Sequence, residues 1–366
     1  MKEITIFCPT IGVGGVEKNL YLILNYLAKQ KLKINLLTCS FDKKTKFNKR
    51  IKLIGPHNKK FCKSTQIVKI FICLFYFLKT DLIEKKTILF SFQSNIFMII
   101  FAYFFNLKII ARINASPDYY LNNYIKKIFF SKIYKHANIV IVNSNDLKKK
   151  VKQFLKINSI VIYNPSYNKK KNKLFLKSRT NFKNKNYISL LNVGRLVHQK
   201  NQILLIKTMR YLKSNTKLTL KLNIIGNGNL FNFLKNKISE NNLNSDIKII
   251  KNITNPSRYF KNSDYFILSS LYEGLPNALI EAISYKNITL SSDCPTGPRE
   301  ILLNGKAGYL FKNNDHIQLA KTLIRSIENK KQNLEKINLA YQSLDRFDEE
   351  KNCKKYLIIL NKFIYD

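Results

Sequence analysis

Short apolar runs alternate along the whole chain with longer segments that repeat apolar residues at helical spacing. Runs rich in Ile, Leu and Val predict buried strands, and their alternation with helices predicts an α/β fold with parallel sheets. The predicted strands fall into two groups, at residues 4–8, 34–37, 87–90, 108–111 and 139–142, and at residues 188–193, 220–225, 246–250, 265–268 and 288–290.

A polar, lysine-rich stretch with little apolar periodicity separates the two groups. Because 366 residues exceed the size at which a single core stops growing, two domains are expected. We predict an N-terminal domain at residues 1–166, a linker at 167–186 and a C-terminal domain at 187–345. Residues 346–366 read as a closing amphipathic helix that packs back on the N-terminal domain.

Two glycine-containing loops follow predicted strands and precede helices. Gly14 and Gly15 follow the first strand, and Gly226 and Gly228 follow the strand at 220–225. Glycines in such loops let backbone N–H groups approach a phosphate, base or ribose without a Cβ in the way. Neither loop matches the dinucleotide or P-loop patterns, and each is also compatible with an ordinary turn.

A third loop, after the strand at 188–193, carries cations. Gly194 is followed by Arg195, which offers a planar fork of donors, and Lys200 adds a mobile point charge. Together the two cations would hold a diphosphate by charge-assisted hydrogen bonds. The alternative is that both are solvated surface cations.

The most informative segment places two carboxylates around a tight turn. Glu273 follows the predicted strand at 265–268, and Glu281 lies inside the helix that Pro276 and Asn277 begin. Helix N-termini favour anions, and ligands bind at the carboxyl ends of α/β strands. Spacing alone leaves open a structural role for both carboxylates. The turn between them consists of Gly274, Leu275, Pro276 and Asn277.

The formal charge of +42, from 64 basic and 22 acidic side chains, is extreme. Nucleic acid, an anionic membrane surface and a phosphorylated substrate would each explain it. The lysines are spread over the whole chain, which also fits a compositional bias. Because no zinc-finger spacing, RNP-like aromatic pattern or basic heptad region occurs, a nucleic-acid partner is not expected.

Cysteine usage and apolar run lengths bear on location. The six cysteines show no CxxC pair, which fits a reducing cytoplasm, and residues 1–8 read as a strand and not as a signal peptide. No apolar run is long enough to cross a bilayer. The longest, at 70–78 and 96–105, are either core helices or a membrane-interface face flanked by Lys63, Lys69 and Lys79.

Taken in order, these loops resemble the retaining glycosyltransferases of the GT-B fold, specifically glycosyltransferase family 4. The resemblance covers essentially the whole chain and is strongest from 192 to 310. The matching motifs are Gly14-Gly-Val-Glu17, Asn164-Pro165, Val193-Gly-Arg195 with Lys200, Ile225-Gly-Asn-Gly228, Glu273-Gly-Leu-Pro-Asn277 with Glu281, Gly297-Pro-Arg-Glu-Ile301 and Asn304-Gly-x-x-Gly308.

The resemblance implies two Rossmann-like parallel-sheet domains that face each other across a cleft. The first domain would bind the acceptor. The second would bind a nucleotide-sugar, which is UDP-linked in most relatives. It implies that Arg195 and Lys200 neutralise the diphosphate and that Glu273 contacts the transferred sugar. Glu281 would accept hydrogen bonds from the ribose. Donor contacts are implied for Gly15, Gly194, Gly226, Gly228, Gly274, Leu275, Pro276 and Asn277.

The resemblance further implies transfer of a hexose or N-acetylhexosamine to a lipid-linked bacterial surface glycan, with undecaprenyl the expected lipid. The enzyme would act in the cytoplasm, peripherally on the anionic inner face of the membrane. No Asp-x-Asp occurs, so no metal or other cofactor is expected. Many relatives carry a histidine in the segment that here holds Arg112 and Asn114, which are the candidate sugar or acceptor contacts.

Two other classes of function stay open at this level. One is a GT-B epimerase or phosphorylase. The other is a basic protein that binds membrane or nucleic acid on a degenerate GT-B scaffold. Binding of a nucleotide-sugar would separate the enzyme classes from the binding protein.

Overall fold

The computed structural model describes residues 3–12, 14–30, 32–40, 46–56, 61, 64–117, 123–169 and 186–365. Most of the predicted linker, at 170–185, lies outside the described residues. The chain divides into two compact units, which are Met1–Pro165 with Glu349–Asp366, and Ser166–Asp348.

The first unit is built on a seven-stranded sheet in the order β3-β2-β1-β4-β5-β6-β7, and every strand pairing is parallel. The order reverses between β1 and β4. The strands are β1 (Ile4–Phe7), β2 (Ile34–Leu37), β3 (Ile51–Ile54), β4 (Ile88–Ser91), β5 (Ile109–Ile113), β6 (Ile139–Val142) and β7 (Ile160–Val161).

Helices cover both faces of this sheet. One apolar cluster joins the sheet to α1 and α13 through residues such as Leu24 and Tyr356, and a second joins the opposite face to α2, α3, α4 and α5 through residues such as Phe77 and Met98. The helices are α1 (Gly15–Lys29), α2 (Gln66–Leu78), α3 (Asn95–Phe104), α4 (Tyr124–Tyr134), α5 (Asn145–Leu155) and, at the end of the chain, α13 (Glu349–Tyr365).

The second unit is built on a six-stranded parallel sheet in the order β10-β9-β8-β11-β12-β13. Here the order reverses between β8 and β11. The strands are β8 (Ile188–Val193), β9 (Leu220–Ile225), β10 (Ile247–Ile250), β11 (Tyr265–Leu268), β12 (Ile288–Ser292) and β13 (Tyr309–Phe311).

Seven helices of the second unit lie within the described residues. One core, which includes Leu205, Ile224 and Leu319, joins the sheet to its helices. The helices are α6 (Gln202–Asn215), α7 (Phe231–Glu240), α8 (Ser257–Asn262), α9 (Asn277–Ser284), α10 (Pro298–Ile301), α11 (His316–Glu328) and α12 (Lys330–Gln342).

Two Rossmann-like parallel-sheet units confirm the predicted α/β fold class. Three observed strands, β3, β7 and β13, were not predicted. The apolar runs at 70–78 and 96–105 form α2 and α3. Each of these helices buries one face in the core and exposes apolar side chains on the other. The prediction of core helices therefore accounts for only one face of each helix.

Candidate functional site

The candidate site lies at the carboxyl ends of β8 and β11, the two neighbouring strands between which the strand order of the second unit reverses. At such a switch point, the loops leave the sheet toward opposite faces and open a crevice in which ligands of α/β proteins bind. Arg195 and Lys200 follow β8, and Glu273 follows β11. The topology therefore brings the three predicted catalytic residues to one end of the sheet.

Lys200 and Glu273 form an ion pair between Nζ and Oε1. Glu273 is only 6% exposed, and the same carboxylate oxygen accepts a hydrogen bond from Ser270 Oγ at 2.6 Å. The ammonium of Lys200 has three N–H donors, so two can serve a ligand while one holds Glu273. The pair is neutral overall and holds the Lys200 ammonium in a fixed, partly buried position.

The local backbone fixes the position of Lys200. A short 3-10 turn at His198–Lys200 ends at Asn201, which adopts the left-handed conformation at φ 49°. Ser269 Oγ, at the end of β11, donates to the carbonyl oxygen of Lys200 at 2.7 Å. The loop after β8 is thus tied directly to the loop after β11.

Arg195 is exposed, and among the described residues its guanidinium donates one hydrogen bond, to Gln199 Oε1 at 3.3 Å. Gln199 in turn donates to the carbonyl oxygen of Tyr272 at 3.0 Å, and Gln202 Nε2 donates to that of Arg195 at 2.9 Å. Most donors of Arg195 therefore face solvent from an anchored backbone.

The glycines after β9 have a packing role that the sequence did not reveal. A Cβ on Gly226 would lie 1.8 Å from the carbonyl oxygen of Gly194, and one on Gly228 would lie 2.1 Å from that of Leu196. Leu196 N donates to Asn227 O at 2.9 Å, which joins the two loops. The predicted contacts of Gly226 and Gly228 with a donor stay predictions. For Gly194 itself, a Cβ would only touch the Lys200 side chain at 3.5 Å.

A second loop supports the turn between Glu273 and α9. Thr296 Oγ1 donates a hydrogen bond to the carbonyl oxygen of Glu273. Gly297 has a φ of +88°, and a Cβ added to it would lie 2.6 Å from Gly274 O and 2.9 Å from Pro276 Cδ. Thr296 and Gly297 were not predicted as supports, although the sequence motif at 297–301 contains this glycine.

The turn residues Gly274, Leu275, Pro276 and Asn277 are all buried, and α9 begins at Asn277. Ser166 Oγ donates to Asn277 Oδ1 at 2.8 Å. Glu281 lies one helical turn after Asn277 and is half-buried. Residues four apart share a face of a helix, so Glu281 follows the side of α9 on which Asn277 lies.

The buried thiol of Cys294 lies close enough to Glu273 for the carboxylate charge to affect its pKa. Burial, and after it the negative charge of Glu273, raise the pKa of Cys294 to about 12. The thiol therefore stays neutral at physiological pH. The charges that act on this thiol are those of Glu273 and Lys200.

Gly15 lies elsewhere, in the first unit, as the exposed first residue of α1 after β1. The Glu17 side chain folds back over this helix start, since a Cβ on Gly14 would lie 2.8 Å from its Oε2. The loop is at the strand-order reversal of its own sheet. Its predicted contact with a diphosphate stays a prediction.

Arg112 has a structural role in the first unit. It is 1% exposed, and its guanidinium donates to Asn114 Oδ1, to Asn164 Oδ1 at 2.7 Å and to the Tyr356 hydroxyl at 2.9 Å. Asn114 Nδ2 donates to the carbonyl oxygen of Phe92 at 2.9 Å. Burial raises the pKa of Tyr356. These groups hold α13 to β5, and the predicted contacts of Arg112 and Asn114 with a sugar or acceptor stay predictions.

Tyr356→Phe is expected to lower the free energy of unfolding by about 1.5–3 kcal/mol, since it removes an acceptor from a buried charged donor. Urea denaturation measures this loss. Tyr124→Phe is the matched control, because Tyr124 is exposed and its loss of a hydroxyl should cost less than about 0.5 kcal/mol. Equal stabilities of the two variants would show that Arg112 does not need the hydroxyl.

A scan of family models matches residues 175–343 to the family described as glycosyl transferases group 1. The match covers most of the second unit and includes the candidate site. It spans less than half of the chain.

Two curated relatives differ in how much they cover. An uncharacterised glycosyltransferase of Methanocaldococcus jannaschii is 32% identical over 208 residues, which are 54% of this chain and 51% of the relative. The chain thus spans about half the length of that relative. An N-acetylgalactosamine-N,N'-diacetylbacillosaminyl-diphospho-undecaprenol 4-alpha-N-acetylgalactosaminyltransferase of Campylobacter jejuni is 24% identical over 387 residues, covering 98% of this chain and all of the relative.

Among solved structures, HepE of Anabaena in complex with UDP aligns with a TM-score of 0.75 at 14% identity, over 99% of this chain and 100% of that one. At this identity the likeness shows the fold, which is GT-B. Together the family model, the relatives and the fold support a glycosyltransferase. They do not favour the alternatives of an epimerase, a phosphorylase or a basic binding protein.

Proposed function

We propose that the chain is a retaining glycosyltransferase of glycosyltransferase family 4 that uses a UDP-sugar. The observation that carries the proposal is the Lys200–Glu273 ion pair at the strand-order reversal, beside the exposed guanidinium of Arg195. Two cations at the carboxyl end of the sheet suit a diphosphate. The UDP seen in the complex of the Anabaena protein supports the choice of nucleotide.

In this proposal each residue has a separate task. Arg195 binds the diphosphate through its planar fork, and Lys200 donates to the phosphate oxygen that becomes the leaving group. Glu273, held by Ser270 and Lys200, orients the sugar being transferred. Glu281 accepts hydrogen bonds from the ribose hydroxyls. Backbone N–H groups at the start of α9, together with the glycine loops, contact donor oxygens.

Glycosyl transfer then proceeds through charge separation. The bond between the anomeric carbon and the phosphate oxygen breaks, which leaves negative charge on the nucleoside diphosphate and oxocarbenium-like positive charge on the sugar. Arg195 and Lys200 are preorganised toward that phosphate, which stabilises the transition state. The acceptor oxygen bonds to the anomeric carbon on the same face and gives its proton to the departing phosphate. The proposal assigns charge neutralisation to these two cations and not to a divalent metal.

We propose a lipid-linked glycan as acceptor and a hexose or N-acetylhexosamine as the transferred sugar. The Campylobacter relative, which aligns over its whole length, is named for an N-acetylgalactosaminyl transfer to a diphospho-undecaprenol substrate. The formal charge of +42 suits an enzyme that works at an anionic cytoplasmic membrane surface.

A donor-hydrolysis screen with purified protein tests the proposal, since slow hydrolysis of a nucleotide-sugar requires no acceptor. Incubation with UDP-glucose, UDP-galactose and their N-acetylhexosamine counterparts should release UDP with at least one donor. Release of no nucleotide from any of them, together with no UDP binding, would overturn it.

UDP should raise the melting temperature, because a ligand that binds only the folded state stabilises it by about 2.7 kcal/mol at a hundred times its dissociation constant. Glu281→Ala should remove most of this shift at the same UDP concentration. Glu335→Ala is the matched control, since Glu335 is an exposed glutamate on α12. If the shift is equal in both variants, Glu281 is not a nucleotide ligand.

A further inference from the structure

Three helices of the first unit expose an apolar face to solvent. We call this the aromatic face. Its members are apolar or aromatic side chains that are at least a third exposed. They are Ile67, Val68, Phe71, Phe75 and Leu78 on α2, Phe97, Ile100, Tyr103 and Phe104 on α3, and Tyr124, Ile125, Ile128 and Phe129 on α4. Large contiguous apolar patches on a folded protein mark interaction sites.

The aromatic face is continuous across the helices. α2, α3 and α4 are successive crossovers that share one apolar cluster on the same side of the sheet. The rings of Phe71 and Phe97 meet edge to face with centroids 6.2 Å apart, which joins α2 to α3. The ring of Tyr103 lies 4.5 Å from that of His136, just beyond α4, which joins α3 to the third helix.

The charged side chains on the three helices themselves are all basic, while Asp81 and Glu84, just after α2, are exposed and acidic, with Asp81 paired to Lys85. The sequences of α2, α3 and α4 contain no Asp or Glu. Lysines border the apolar side chains, and the ammonium of Lys79 lies 4.3 Å from the centre of the exposed Phe75 ring. The exposed lysines on or directly after these helices are Lys79, Lys126, Lys132 and Lys135.

We infer that the aromatic face binds the surface of an anionic lipid bilayer, with its rings among the acyl chains near the headgroups and its lysines on the phosphates. Amphipathic helices with aromatic and basic residues bind this way. None of the described helices is both long and apolar enough to cross a membrane. A second copy of the chain fits less well, because an isologous contact would place this lysine-rich surface against a like-charged copy of itself.

This inference rests on the proposed function, since a lipid-linked acceptor gives the enzyme a reason to bind a bilayer. It goes beyond that function by identifying the aromatic face as the surface that contacts the bilayer. It also explains why so many exposed aromatic side chains lie on one layer of helices.

Vesicle flotation of the full chain tests the inference. The aromatic-face variant Leu78→Glu/Phe104→Glu is compared with Leu334→Glu/Phe233→Glu, which makes the same substitutions on α12 and α7. All four side chains are well exposed, at 50% and 76% on the face and at 60% and 46% elsewhere, so folding should tolerate each change. The vesicles are phosphatidylcholine alone and phosphatidylcholine mixed with phosphatidylglycerol.

The wild-type chain should float with the mixed vesicles and bind pure phosphatidylcholine at least roughly tenfold more weakly. The aromatic-face variant should lose roughly a hundredfold in partition coefficient, and the control variant less than about threefold. Equal binding by the two variants would overturn the inference. Absence of vesicle binding together with self-association that only the aromatic-face variant loses would overturn it in favour of a second copy.

The UDP-induced melting shift, measured on the same samples, separates this inference from the proposed function. The aromatic-face variant should keep the full shift, because its substitutions lie in the first unit, whereas Arg195, Lys200 and Glu281 lie in the second. Vesicle binding without any response to UDP would support binding of the aromatic face to a membrane and contradict the proposed function. A full UDP shift without vesicle binding would support the proposed function and contradict the membrane inference.

Discussion

Lys200→Met is expected to lower the rate of UDP-sugar hydrolysis by about a thousandfold, the upper range for loss of one preorganised group that stabilises transition-state charge. Methionine is unbranched and one atom shorter than lysine, so it keeps most of the apolar stem and removes the charge. In the proposed mechanism the ammonium meets the leaving phosphate, so the loss should fall on kcat more than on KM. Release of UDP from the donor, followed in time, measures it.

The same substitution has a structural cost that must be separated from the catalytic one. Glu273 is nearly buried, and loss of its ion-pair partner leaves an uncompensated carboxylate, which typically costs about 3–5 kcal/mol. In Lys200→Met/Glu273→Gln, the carboxylate is replaced by a neutral amide, so the melting temperature should recover toward that of the wild type. Hydrolysis should not recover.

The two readouts decide the role of Lys200. If Lys200→Met hydrolyses the donor within about tenfold of the wild type, then the residue serves only to neutralise Glu273, and the phosphate contact is wrong. If the double variant regains both stability and activity, the ion pair is structural. A stable double variant without activity shows that the loss of hydrolysis does not come from lost stability.

Sequence reasoning located β8, β9 and β11 at their observed limits. β11 is an unbroken apolar run, whereas β8 and β9 each carry two polar residues and were found by their high share of Ile, Leu and Val. The missed strands β3, β7 and β13 are at the edges of their sheets. They are short, and β3 and β7 contain exposed positions, so they have no distinct pattern.

The candidate site was predictable to the level of loops. Loops that follow the strands of one parallel sheet leave it at the carboxyl edge, where ligands bind, so Arg195, Lys200 and Glu273 could be assigned to that edge. That Lys200 pairs with Glu273 was not predictable, because spacing along the chain does not tell which side chains touch across a switch point.

Arg112 shows what the local sequence does not reveal. It was a candidate contact because it lies in the segment where many relatives carry a histidine, and the structure buries it against Tyr356, which lies 244 positions further along the chain. A contact of that range leaves no signal in the local sequence. Glycines gave a similar ambiguity, since close approach to a ligand and close approach to another loop both require the absence of a Cβ.

Gly226→Ala is expected to lower the free energy of unfolding by about 3 kcal/mol or more, since overpacking against a fixed group is destabilising. The added Cβ would lie 1.8 Å from the carbonyl oxygen of Gly194 and 2.9 Å from its carbonyl carbon. Both are backbone atoms at the end of a central strand, so they cannot move without breaking the ladder between β8 and β9. For a unit of this size the melting temperature should fall by about 6–12 °C.

Gly194→Ala is the matched control for Gly226→Ala, because it adds the same methyl group to the same loop pair. Its Cβ would contact only the flexible Lys200 side chain, at 3.5 Å, so its stability should stay within about 0.5 kcal/mol of the wild type. Differential scanning calorimetry with and without UDP measures both variants. A Gly226→Ala protein that melts like the wild type but loses its UDP shift would show that this glycine is there for the donor and not for loop packing. A melting temperature that drops without added UDP shows that the backbone contact between the two loops is sufficient to require glycine.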